Sequence, residues 1–362
     1  MIPAIRSGFA STLHSFAAWW RAWGLWVHPG IHPRAHPGVR PAARFAKAVA
    51  ARPDEAAPPD GPLHGEHALR LFTLYALDER RTALPGDDEM AALEPLIRAG
   101  SAAISKLEVQ ARYLPRRPSL LPKLLSAMNS DANSMSDLAR IIGGDPTLLG
   151  NLLRVANSVF YRGTAKPVQS LERAVTLVGT DGIRSVIATS LVHPVMASGS
   201  GWFAKFPETI WEQTQYAADA AEAHALSIER ADGFNARLLA LLHGLAINTV
   251  FRIVRDEVLP GRDEAAKPAV ARLLDDWVVP VARQIAASWD LPPELQAVLT
   301  ASCEHEPLAR SLFFGRLAGA QLVLVKRGRL KEASARAILL ASDSRRVQIE
   351  RLWSRLAVVC RQ

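Results

Sequence analysis

The sequence predicts an all-α protein built from several packed helices. Apolar residues recur at steps of three and four through most of the 362 residues, which is the spacing of one helix face. No segment alternates apolar and polar residues for long, and short β-branched runs such as Val278-Val279 are bounded by helical patterns. A hydrophobic content of 49% is ample for a core. The length permits one large domain with extensions, or two domains.

Residues 1–27 predict an amphipathic helix that is rich in tryptophan. Its apolar face is spaced at helical steps along Ile5, Phe9, Leu13, Phe16, Trp20, Trp23 and Val27. His14 and Arg21 interrupt the segment too centrally for a membrane span, which needs about 20 apolar residues. Two interpretations stay open: the helix docks on protein, or it lies in a membrane surface with its tryptophans among the headgroups.

Residues 28–62 predict a disordered linker. Three His-Pro pairs repeat every four residues at His28, His32 and His36, and further prolines follow. Prolines at this density block regular helix and favour an extended chain. We expect a solvated tether here rather than a metal site formed by the three histidines.

Further helices are predicted on both sides of the central region. Within residues 63–111, a first helix carries His67, Leu71, Leu74 and Tyr75, and one or two more span Glu89–Gln110. Residues 309–362 are expected to pack on the central domain as C-terminal helices. The predicted spans are Leu308–Lys326, Lys331–Leu340 and Arg345–Val359.

The most informative segment covers residues 144–161. Asp145 can cap a helix, Pro146 suits the first helical position, and an apolar stripe follows. The stripe consists of Leu148, Leu149, Leu152, Leu153 and Ala156, and it is followed by Asn157-Ser158 and Phe160-Tyr161. This order closely resembles the signature of HDOD domains, bacterial helical domains related to the HD metal-dependent phosphohydrolases.

The resemblance extends over residues 112–308 and implies a compact multi-helix HDOD/HD-like bundle. Leu114-Pro115 and residues 136–142 are similar to its beginning, and Val168–Gly179 is similar to its following helix, with Ser170 as cap and Gly179 as stop. The similarity is looser from Trp211 onwards.

The same resemblance indicates that the metal site of the HD enzymes is degenerate here. Those enzymes hold divalent metals with a His-Asp doublet and further histidine and aspartate side chains. The doublet falls on His243 and Gly244, an upstream histidine on Gln213, and a terminal aspartate near Gly319. His243 and His305 remain as vestigial candidates. We expect His243 to be a core histidine bonded to a backbone carbonyl, and His305 to be a surface residue. No cofactor and no hydrolase activity are predicted.

The resemblance therefore implies a non-catalytic bacterial signalling or regulatory protein that acts as an interaction or scaffold module. Its expected partner is another protein or a second copy, and the interaction candidates are Asp145, Arg154, Asn157, Phe160 and Tyr161. One alternative is a residual metal-dependent phosphohydrolase. Another is a helix-turn-helix regulator over residues 138–157, which is disfavoured because its second helix offers DNA only one cation.

Composition gives weaker information about compartment and chemistry. The net charge of +8 is moderately basic, and two cysteines, Cys303 and Cys360, exclude a disulfide framework. We expect a cytoplasmic protein, with residues 1–27 as a candidate membrane contact. No Ser/His/Asp arrangement, phosphate loop or CxxC motif is predicted.

Overall fold

The computed structural model describes the chain over 62–78, 83–107, 146–156, 205–259, 266–301 and 305–357, together with short pieces between 112 and 189. These residues form α-helices and contain no strand, which confirms the all-α prediction. The helices are α1 Pro62–Leu77, α2 Asp87–Ile104, α3 Pro146–Ala156, α4 Lys205–His224, α5 Gly233–Ile253, α6 Lys267–Ser288, α7 Pro293–Val298, α8 Pro307–Lys326, α9 Glu332–Ser342 and α10 Arg346–Leu356. Single π-helical turns, Ala225–Glu229 and Val254–Val258, follow α4 and α5.

Capping residues fix where several of these helices begin. Asp232 accepts a hydrogen bond from the Asn235 N–H at 2.8 Å before α5, and Glu306 accepts one from the Leu308 N–H at 3.1 Å before α8. Pro307 occupies the first turn of α8, where a missing N–H costs nothing. These contacts satisfy amide groups that the first turn leaves without a helical partner.

The centre of the molecule is a layer in which α4 packs between α5 and α8. Alanines and glycines make these contacts close: Ala217, Ala218 and Ala221 of α4 are almost fully buried. Such small residues let the helix backbones approach each other closely.

The flanking helices share the same hydrophobic core. Tyr75 of α1 and Trp353 of α10 are buried in it. Trp289, just after α6, is also buried, and its indole N–H donates to the Pro115 carbonyl at 2.9 Å. That bond ties the beginning of the predicted domain to its far end.

The central signature forms a second, smaller hydrophobic cluster. Leu148, Leu152 and Ala156 of α3 are buried in it, and Leu149 and Leu153 pack against it. The predicted stripe is thus a packing face. Ser170 caps the following segment by accepting the Arg173 N–H at 3.3 Å, and Gly179 ends it with φ +73°, as predicted.

Helix α6 is longer than its sequence indicates. Helix α6 runs uninterrupted through Pro280, although an internal proline normally ends a helix. The predicted helix and linker over residues 1–61 lie outside the described residues.

Two helical stretches, Gly233–Val258 and Pro307–Lys326, are long and apolar enough to span a membrane, but 89% and 78% of their apolar windows are buried in the protein.

Candidate functional site

A cavity of about 200 Å³ lies where five helices meet beside His243, at the position where the resemblance places the HD doublet. Its polar lining comes from α1 (Glu66 and Arg70), α4 (Gln213), α5 (His243), α6 (Asp275) and α8 (Arg316). Apolar side chains such as Leu274 and Val278 complete it. The resemblance alone predicted Gln213 and His243; the four charged residues are new.

His243 is buried, with 7% of its surface exposed, and it lines this cavity. Burial, together with the nearby Arg316 charge, holds the pKa of the His243 imidazole well below its usual value. The ring is therefore neutral at physiological pH. The expected bond to a backbone carbonyl is absent among the described residues, where neither ring nitrogen has a hydrogen-bond partner.

Gly244 has no room for the aspartate that the HD doublet needs. A Cβ atom at position 244 would lie 2.1 Å from Oγ1 and 2.4 Å from Cγ2 of Thr214 on α4. The Thr214 hydroxyl is fixed, since it donates to the Ile210 carbonyl at 2.7 Å. Thr214 thus fills the space next to Gly244 that a side chain at this position would need.

Gly319 excludes the terminal aspartate in the same way. A Cβ atom there would lie 2.6 Å from the Gln213 carbonyl oxygen and 2.8 Å from the Ala217 nitrogen. These are backbone atoms of α4, which no side-chain rotation can move. Gln213 itself is buried, and its Nε2 donates to the Arg316 carbonyl at 3.2 Å. Its amide bonds α4 to α8 at this point.

The charged residues divide into a pair at the rim and a cation inside. Nε of Arg70 lies 3.5 Å from Oδ2 of Asp275, and both side chains are partly exposed. Glu66 lines the same cavity. Burial raises the pKa of Asp275 to about 6, although Arg70 opposes the shift and Glu66 adds to it. The Arg316 guanidinium makes no hydrogen bond or ion pair with any residue that the structure describes.

These residues do not fit a divalent metal. Within the described ranges, no group of three or more His, Cys, Asp or Glu side chains is arranged to hold a metal ion. His305, the other vestigial candidate, is exposed, and residues 302–304 beside it lie outside the described residues. The Arg316 guanidinium also lines the cavity, and its positive charge disfavours a cation beside His243.

The interaction candidates lie mostly beyond what is described. Asp145, Asn157, Phe160 and Tyr161 fall outside the described residues, and Arg154 is described only as a position on α3. The structure therefore neither groups nor separates these five residues.

A Ser-His-Asp array, which the sequence did not predict, lies elsewhere in the bundle. Nδ1 of His224 is 3.0 Å from Oγ of Ser311, and Nε2 is 3.6 Å from Oδ2 of Asp343. The Ser311 hydroxyl donates to the Pro307 carbonyl at 3.0 Å, so it cannot donate to His224 as a nucleophile would. His224 and Ser311 are fully buried, and the array is structural.

Comparison with known proteins identifies the family. The HDOD domain model matches residues 114–307, more than half of the chain. A crystal structure of an HDOD domain protein with unknown function from Geobacter sulfurreducens aligns with TM-score 0.51 and 16% identity, over 75% of this chain and 98% of that one.

A second crystal structure, of a protein from Shewanella amazonensis SB2B described as a "Putative metal-dependent phosphohydrolase", aligns with TM-score 0.46 and 19% identity, over 72% of this chain and 98% of that one. No curated protein matches the sequence. The match of the family model over residues 114–307 shows that this chain belongs to the HDOD domain family.

Proposed function

We propose that this chain is a non-catalytic regulatory HDOD protein that acts by holding a protein partner or a second copy of itself. One observation supports the proposal: at the two glycines where the resemblance places metal-ligating aspartates, neighbouring atoms leave no room for a side chain. Thr214 occupies the space next to Gly244, and the backbone of α4 occupies the space next to Gly319. The ligands are lost together with the room for them.

Electrostatics supports the same conclusion. Metal-assisted hydrolysis needs anionic ligands that retain the cation while it converts bound water to hydroxide. Here positions 213, 244 and 319 carry glutamine and glycine, which supply no negative charge, and Arg316 lines the same cavity. A divalent cation beside His243 would be repelled by that guanidinium, so the substitutions disfavour both the metal and the reaction.

The interaction face that we propose is built around α3 and the segment that follows it. This region has its own small core, distinct from the main one. Leu177 is 40% exposed on that segment, whereas its neighbours Val175 and Val178 are buried. This exposed leucine belongs to the same small cluster as α3, and we assign Arg154 and Tyr161 to the proposed face from the sequence alone.

Hydrolysis is tested directly with the full chain. Purified protein is incubated with Mn²⁺, Ni²⁺ or Fe²⁺ and generic phosphoesters, nucleotides and cyclic dinucleotides. The proposal predicts no turnover above the metal-only blank. Turnover that disappears in His243→Ala would overturn it.

Partner binding is tested with variants of the proposed face. Arg154→Ala and Tyr161→Ala are compared with Arg336→Ala, a surface arginine paired with Glu350 away from α3. We expect the first two to lose partner capture or self-association at unchanged circular dichroism, while the control retains it. Equal capture by all three folded variants contradicts this face.

The role belongs in the cytoplasm, in keeping with the two cysteines of the sequence. The predicted N-terminal helix is the candidate for a membrane-surface or protein contact. DNA binding is disfavoured, because α3 contributes only one cation, Arg154.

A further inference from the structure

The cavity beside His243 contains polar groups that the protein itself leaves unsatisfied. His243 is more than nine-tenths buried and has no hydrogen-bond partner among the described residues. Arg316 lines the same cavity and likewise lacks an ion pair there. The nitrogens of both side chains are accessible from the cavity, so a ligand that accepts hydrogen bonds from them can take the place of water.

From this we infer that the cavity binds a small organic oxyanion, a phosphate monoester or a carboxylate, contacted by Arg316 and His243. The inference rests on the proposed loss of metal chemistry, because it places an anion where the HD enzymes hold cations. Arg316 supplies a permanent positive charge and a planar set of N–H donors that match oxyanion geometry.

The other polar groups are consistent with an anion of this kind. His243 is neutral, so one ring nitrogen donates and the other accepts. The amide of Gln213 is oriented by the bond from its Nε2 to the Arg316 carbonyl. That bond leaves the Oε1 atom as an acceptor for a hydroxyl group on the ligand.

The carboxylates of the cavity do not reverse this preference. Asp275 is paired with Arg70 at the rim, where both side chains are partly exposed. Glu66 is the remaining acidic residue, and it lies on α1 one turn before Arg70. Within the described part of the chain, Glu66 is the acidic residue of the cavity that forms no ion pair, so a cationic ligand would meet two arginines and one unpaired carboxylate.

The volume limits the size of the ligand. About 200 Å³ is below the range of roughly 300–1,000 Å³ that is typical of drug-sized sites. Leu274, Val278 and Ile247 provide an apolar surface beside the charged groups. The ligand is thus a small molecule with one anionic group and a short apolar body.

Calorimetric titration of the full chain tests this inference. The probes are inorganic phosphate, phenyl phosphate and benzoate, which separate a phosphoryl ligand from a carboxylate one. We expect saturable binding of phenyl phosphate or benzoate, tighter than that of inorganic phosphate. The inference fails if none of the three binds saturably up to about 10 mM, above the millimolar range of weak specific binding.

Variants locate the binding. Arg316→Gln should lower the affinity about tenfold or more, as expected for hydrogen bonds to a charged group. His243→Phe keeps an aromatic ring, which is somewhat larger, removes one neutral donor, and should lower the affinity about three- to tenfold. Arg336→Gln is the control, since it removes the same charge from a distant exposed position. Wild-type affinity in folded Arg316→Gln and His243→Phe overturns the inference.

The outcomes also separate this inference from the proposed function. Release of phosphate from phenyl phosphate with Mn²⁺ would refute the non-catalytic proposal. Failure to bind in the titration would refute only the oxyanion site.

Discussion

Replacing Gly319 with alanine tests whether the packing of α4 against α8 leaves room for any side chain at this position. The new methyl group would lie 2.6 Å from the Gln213 carbonyl oxygen and 2.8 Å from the Ala217 nitrogen. Ordinary contact distances between non-bonded heavy atoms begin at about 3.5 Å. To reach that distance, the backbones of α4 and α8 must move apart by somewhat less than 1 Å. Both opposing atoms belong to the backbone, and no side chain can rotate to relieve the contact.

The free energy of unfolding should therefore fall. Overpacking of a close-packed core costs about 1–3 kcal/mol. Alanine recovers about 1 kcal/mol because it favours helix more than glycine does. We expect the cost of this clash to lie in the upper part of the overpacking range, because backbone atoms oppose the methyl group. The expected net loss for Gly319→Ala is therefore about 1–2 kcal/mol.

Gly150 on α3 provides the matched control. A Cβ atom there has no neighbour within 4 Å, and Gly150→Ala should raise the stability by about 0.5–1 kcal/mol through helix propensity alone. Urea unfolding followed by far-UV circular dichroism compares the midpoints of the two variants at unchanged slope. The packing argument is refuted if Gly319→Ala is as stable as Gly150→Ala.

Three further predictions concern other parts of the chain. Gly244→Asp should lower the unfolding midpoint and restore no metal-dependent phosphoesterase activity, which thermal melts and phosphate-release assays measure. Glu229→Gln should cost about 3 kcal/mol in urea unfolding, because the Glu229 side chain is 3% exposed and pairs with Arg310 and Arg345. Burial raises the pKa of Glu229, but the hydrogen bonds from these arginines outweigh it and lower the pKa overall. This contribution to stability is therefore complete above pH of about 4.3 and is lost as the pH falls through the lowered pKa, so the wild type should lose its advantage over the variant in acid. In liposome flotation, the full chain should float with anionic vesicles and a chain starting at Leu63 should not, if the tryptophan helix lies in a membrane surface; equal behaviour favours docking on protein.

Much of the fold could be predicted because local signals agree with it. Helix α8 was predicted from Leu308 to Lys326 and runs from Pro307 to Lys326, since a proline and a capping glutamate mark its start. Helix α6 was harder to predict. Pro280 removes one of its backbone bonds, but burial of Val278 and Val281 on either side holds the helix together.

The sequence predicted some residues of the candidate site and missed others. Similarity to a family pattern located Gln213, His243 and Gly244, because a pattern gives positions along the chain. It could not show that Arg70 of α1 and Arg316 of α8 line the same cavity, since they are far apart in sequence and only tertiary packing joins them. The close contact of α4 and α8, in contrast, is indicated by a pattern in the sequence.

That pattern is the spacing of Gly315 and Gly319. Glycines four residues apart lie on one helix face and permit a backbone to approach. A Cβ atom at position 315 would lie 2.4 Å from the Ala217 carbonyl oxygen. The two glycines therefore mark the face of α8 that contacts α4, and they explain why a ligand at 319 is incompatible with this packing.

The metal content of the purified full chain is the most direct test of the central claim that the HD chemistry is lost. The protein is produced in medium supplemented with Mn²⁺, Fe²⁺ and Ni²⁺ and compared with His243→Ala by elemental mass spectrometry. The account predicts far less than one equivalent of metal in both proteins. One or more equivalents in the wild type that His243→Ala removes would contradict it.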